Sequence, residues 1–136
     1  MSVAQNLGYS AIQVVHNFGA VATVGGSILA IQIRDGLTRK RLAHLVLFGW
    51  VTQVASGAAF GVVTFYFYQH LPDISGIAIE ALIIKMISAT LGIILLMIYV
   101  FQSDRWSELN IRKAWFASSG LSVIAISSAA FLRWFS

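Results

Sequence analysis

Cysteine is absent from this chain, and that removes several chemistries at once. No disulfide, thiolate metal site, cysteine nucleophile or covalent c-type haem attachment can be built from its own residues. Proline occurs once, at Pro72, where together with Gly76 it breaks the chain between two apolar runs. Charge is scarce as well, at 10% of the 136 residues. A soluble domain carries about 25%, because it must present a wetted surface. Acids number five, and none sits in the middle of an apolar run. A proton-coupled carrier needs such a buried acid. The sequence also lacks an HExxH motif, a phosphate-cradling glycine loop and a Ser/His/Asp arrangement.

What is present is apolar: 58% of the residues are hydrophobic, and the mean hydropathy is +0.81. A bilayer core needs about 20 apolar residues in a helix. Four segments satisfy that, at about 7–33, 42–68, 77–101 and 114–135, and they predict an all-α integral membrane protein. Residues 1–136 then form a single four-helix transmembrane domain. The first span has no positive leader and is far longer than the apolar stretch of a signal peptide, so it reads as mature structure. A cationic turn, Arg34 to Arg41, separates the first two spans, and a second polar stretch, Gln102 to Lys113, separates the last two. These loops hold seven Lys and Arg residues, against Arg133 alone at the other end. The cation rule therefore puts the loops in the cytoplasm and both termini on the outer, periplasmic side of a bacterial inner membrane. Membrane topology thus accounts for the basic balance without nucleic acid. Trp106 and Trp115 fit an inner aromatic belt, and Tyr9, Tyr66, Tyr68 and Trp134 an outer one.

Small residues mark where membrane helices approach one another. His16, Gly19, Ala20, Thr23, Ser27 and Ala30 share one helical stripe, with Val14, Val21 and Ile28 opposite. Thr52, Ala55, Ser56 and Ala59 form a stripe on the second span, where Gly57-x-x-x-Gly61 suggests a second close-packing face. Ala78, Ala81, Lys85, Ser88, Ala89, Gly92 and Tyr99 line up on the third span. On the fourth, Ser118, Ser122, Ala125, Ala129 and Arg133 do so.

Two side chains in these stripes are costly. A lysine in mid-membrane costs on the order of 2.5–3.5 kcal/mol and is by default a functional residue. Lys85 lies about 12 Å into its span, with an outward-reaching stem as the plainer alternative. His16 lies at nearly the same depth. A neutral histidine is the usual axial ligand of b-type haem, because its imidazole binds iron without adding a charge. A hydrogen-bonded histidine is the plainer alternative. Gly19, one turn below, would leave room for a flat macrocycle. His70, at the outer boundary of the second span, is a marginal second ligand. His44 is 26 residues from it, about 39 Å along one helix, so those two cannot clasp one haem. Copper transport fits poorly, since copper(I) prefers thiolates and thioethers, and Met86 and Met97 are about 16 Å apart on one helix.

The run from His16 to Gly26, His-Asn-Phe-Gly-Ala-Val-Ala-Thr-Val-Gly-Gly, with a cytoplasmic arginine after the span, resembles the first helix of the copper-resistance D-like membrane proteins. It also resembles the small four-helix bacterial protoporphyrinogen oxidases, and Gly57 and the lone Lys85 match that layout. The resemblance implies a first-helix histidine and a third-helix lysine as the key polar pair, with haem b bound. Two expectations follow. One is a haem-binding protein for electron transfer or haem handling, with His16 on the metal and Lys85, Gly19 and His70 around the cofactor. The other is a non-catalytic subunit of a respiratory, photosynthetic or oxygenase complex, whose partners are the bilayer, other membrane subunits or further copies of the chain.

Overall fold

The computed structural model describes residues 2–70 and 73–135. Pro72, expected to break the chain, lies outside them. Four long helices carry nearly all the described residues: α1 (Val3–Gln32), α2 (Gly36–Tyr68), α3 (Ile77–Gln102) and α4 (Glu108–Phe135). A single 3₁₀ turn, Ser103–Arg105, leads from α3 toward α4. All four helices are long and apolar enough to cross a membrane.

Local chemistry explains the boundaries. Ser2 Oγ accepts from Gln5 N at 3.2 Å and starts α1. Asp35 starts α2, accepting from Thr38 Oγ1 at 2.5 Å and Thr38 N at 2.7 Å. The Thr38 side-chain bond leads the causes that hold this carboxyl below its usual range. Because Asp35 caps so early, most of the cationic segment expected to be a turn is the first turns of α2. Gly76 precedes α3 at φ +53°, a left-handed conformation that suits glycine.

Side-chain pairs fix the register. Gln5 donates to Tyr68 Oη at 3.0 Å, and Tyr9 meets Thr64 at 2.9 Å. His16 meets Ser56 at 2.6 Å, and Gly26 packs on Val46. Numbers rise on α1 as they fall on α2, so the pair is antiparallel and in constant register. Ser27 bonds Ser118 at 2.7 Å and Ser122 bonds the Thr23 carbonyl at 3.2 Å, which sets α4 antiparallel to α1. α1 packs most extensively on α2, and α3 on α4, with α1–α4 and α2–α3 closing the ring. α1 and α3 therefore stand on a diagonal.

Closeness rests on absent side chains. A Cβ on Gly19 would stand 3.0 Å from the Gly49 carbonyl oxygen, and Gly49 faces Gly19 in return. The Trp50 indole occupies the notch at Gly92. The main core lies toward the basic end, where Val46, Trp50, Leu96, Tyr99 and Trp115 are buried with Ala30 and Ala43. Trp115 is 1% exposed, so it is a core residue and not part of an aromatic belt. Its ring packs edge-on to Tyr99, with centroids 5.0 Å apart, because α3 and α4 meet along that seam.

The second packing face expected on α2 is not used within the bundle. Nothing lies within 4 Å of a Cβ built on Gly57 or Gly61. The stripe through Trp50, Gln53 and Ser56 is the one that α1 and α3 cover, and this turns the two glycines outward.

Beneath the core sits an ion pair. Arg39, 2% exposed, donates from both terminal nitrogens to the two Glu108 oxygens at 2.8 Å, and from Nε to Ala30 O at 3.4 Å. One guanidinium thereby ties α1, α2 and α4 together in the two-pronged geometry that suits a carboxylate.

Candidate functional site

His16 and Lys85 meet. Lys85 Nζ lies 3.1 Å from His16 Nε2, across the diagonal of the bundle. The lysine stem does not run outward to the membrane surface, and Glu80, on its own helix, is exposed. The pair sits about 24 Å from the basic end along α1 and about 26 Å along α3, at 1.5 Å per residue. If the helices cross a hydrocarbon core about 30 Å thick, the pair falls within its apolar layer, toward the end that carries the termini.

The hydrogen bonds assign the imidazole's proton. Ser56 Oγ lies 2.6 Å from the Thr52 carbonyl, which can only accept. The single hydroxyl proton is therefore committed there, and Ser56 Oγ accepts from His16 Nδ1 at 2.6 Å. A neutral imidazole has one N–H, so Nε2 keeps its lone pair and Lys85 Nζ is the donor to it. The chain of donation runs Lys85, His16, Ser56, Thr52 and crosses three helices. Gln53 Nε2 holds the His16 carbonyl, and the Phe60 ring meets the imidazole edge-on at 6.0 Å and 70°. The ring is thus fixed at one nitrogen and presents the other.

The remaining expected residues are placed differently. Gly19 is closed by the Gly49 carbonyl, with Gln53 Nε2 and Thr52 Cγ2 each 3.2 Å from its Cβ position. Its missing side chain serves helix packing, not space for a ring. His70 is exposed just beyond the C-terminal end of α2, with its ring 6.0 Å from that of Tyr68. Twelve residues of helix, about 18 Å, separate Ser56 from Tyr68, so His70 is not brought to His16.

Ser56 and Gln53 are the site residues that sequence reasoning left without a role. Ser56 stood on the small-residue stripe of the second span, but nothing local pairs it with a histidine 40 positions earlier. Arg39 had a signal of its own: it heads the buried series Arg39, Ala43, Val46, Trp50 and Gln53 on one face of α2.

The donor set can be tested against a cofactor. Among the described residues, no three His, Asp or Glu side chains gather to hold a metal. One imidazole holds a metal ion firmly only when another scaffold supplies most of the ligands, as a porphyrin does. An Nδ1–H anchored to an oxygen is the arrangement that orients metal-binding histidines, but Nε2 of His16 is taken by Lys85 Nζ at 3.1 Å. His16 is thus oriented as an iron ligand would be, but a haem could reach Nε2 only by displacing Lys85, and the notch at Gly19 leaves it no space. Compared with known proteins, the chain matches no family model, no curated protein and no solved structure.

Proposed function

We propose that this chain is a small multi-pass protein of the bacterial inner membrane that binds haem b, for electron transfer or haem handling, with its termini outside. The observation that carries the reading is the setting of His16: Nδ1 stands 2.6 Å from Ser56 Oγ, and Nε2 faces Lys85 Nζ at 3.1 Å. Ser56 fixes ring orientation and raises the basicity of Nε2. Lys85 offers a donor for a carboxylate, and among the described residues no Asp or Glu is paired with it. His16 is buried and Lys85 half-buried. Haem, when bound, supplies one-electron redox chemistry. The resemblance of residues 16–26 and Lys85 to the copper-resistance D-like proteins and the small protoporphyrinogen oxidases supports the same reading.

A reduced-minus-oxidised absorption spectrum of gently purified protein tests it. The wild type is expected to show b-type bands, His16→Ala to lose them, and Ser56→Ala to bind haem about 10-fold or more weakly, as second-layer partners of metal ligands do. Wild-type protein with no trace of haem defeats the proposal.

Gly57 and Gly61 favour a second reading. An exposed helical glycine costs about 1 kcal/mol relative to alanine, and these two have nothing packed against them. A face so spaced lets a neighbouring helix approach closely, which is what an accessory subunit needs. Gly57→Leu with Gly61→Leu is expected to leave the isolated bundle folded and to abolish stoichiometric co-purification with membrane partners. Unchanged co-purification of the double variant removes this reading.

A further inference from the structure

The acids at the basic end are already committed. Asp35 is bound to Thr38, Asp104 pairs with Lys40 at 2.5 Å, and Glu108 pairs with buried Arg39. Among the described residues these are the ion pairs, and they leave Arg34, Arg41, Arg105, Arg112 and Lys113 exposed. Two of the five are set apart by position. Arg112 lies one turn beyond Glu108 on the same face of α4, since residues four apart are neighbours on a helix. Arg34 follows the end of α1, the helix packed against α4. Both stand close enough to the Glu108 carboxylate to act on it electrostatically. That carboxylate has both oxygens taken by Arg39, so it neutralises one guanidinium of the three around it.

From this geometry we infer that Arg34 and Arg112 form a binding site for the phosphate of an anionic phospholipid, at the α1–α4 seam over the Arg39–Glu108 pair. The planar guanidinium fork matches phosphate oxygens two at a time, as a lysine cannot. Phosphate is also the anion a bilayer places at the level of helix ends. Leu29 and Leu109, exposed at the same end, offer apolar surface to an acyl chain. Arg39 is held rigidly by Glu108 and Ala30, so the floor of the site is ordered before lipid arrives. The inference does not rest on the haem reading and survives its failure.

The test is native mass spectrometry of the purified chain in neutral detergent, titrated with phosphatidylglycerol, with phosphatidylcholine of the same acyl chains, and with inorganic phosphate. The wild type is expected to retain phosphatidylglycerol selectively. Arg34→Gln with Arg112→Gln is expected to weaken that retention about 30-fold, at roughly one surface cation's worth per arginine. Arg41→Gln with Arg105→Gln removes the same charge and is expected to cost less than about 3-fold. Equal losses from both double variants overturn the site in favour of diffuse attraction. Displacement of lipid by millimolar inorganic phosphate overturns it in favour of a soluble anion. Should the glutamine variant fail to fold, Arg34→Lys with Arg112→Lys keeps the charge and removes the forks. It is expected to lose most of the selectivity, and full retention overturns the site.

Discussion

Lys85→Met is expected to give a bundle more stable than the wild type, by about 2 kcal/mol, yet unable to hold the proposed haem. A lysine within the apolar layer costs roughly 2.5–3.5 kcal/mol. Methionine fills a similar length with an adaptable apolar chain. Against that gain stands the lost bond to His16 Nε2, worth on the order of 1 kcal/mol. Thermal unfolding in lipid or detergent measures the first effect, and haem occupancy measures the second. An ionisable residue that destabilises the fold from within an apolar span is by default a functional one. If Lys85→Met unfolds more easily, the lysine is a structural strut, and the case for a ligand beside it fails.

Gly92→Val is expected to be the most damaging substitution in the core, at about 3 kcal/mol. A Cβ there would meet Trp50 Nε1 at 2.6 Å and Cζ2 at 2.8 Å, with Cε2 nearer still. Trp50 is 1% exposed and cannot swing away. Overpacking a close-fitted interior typically costs 1–3 kcal/mol, and here the obstacle is a rigid ring on a facing helix. Trp50→Leu in the same chain opens the notch and is expected to recover much of the loss, a coupling of at least about 1 kcal/mol between neighbours. Unfolding of the two single variants and the double variant measures it. Strict additivity would mean that the indole is not what Gly92 accommodates.

The inward faces of α1 and α3 were legible because helical periodicity and the cost of polar groups in lipid point the same way. His16, Thr23, Ser27 and Ala30 are buried as their stripe predicts, while Val14, Val21 and Ile28 are exposed. Gly57 and Gly61 misled because a four-residue glycine spacing marks a smooth face without saying what lies against it. Trp115 misled for a similar reason. Tryptophan just inside an apolar run suits an interface and a core alike, and only the approach of Tyr99 from another helix separates them. The Arg39–Glu108 and His16–Lys85 contacts each join residues 69 positions apart. Sequence supplied the motive for each to find a partner, namely an expensive polar group. The choice of partner came from helix register.

The diagonal placement of the Lys85 bond gives the molecule two unlike ends. One hairpin is α1 with α2, the other α3 with α4, and each is zipped along its own length. At the basic end, Arg39 rivets the hairpins together through Glu108. Toward the other end, besides the packing of α1 on α4 and α2 on α3, one lysine bonds one imidazole, a contact that any occupant of Nε2 would have to undo. On the proposed reading, the atom that would take a ligand is the same atom that closes this end of the bundle without one.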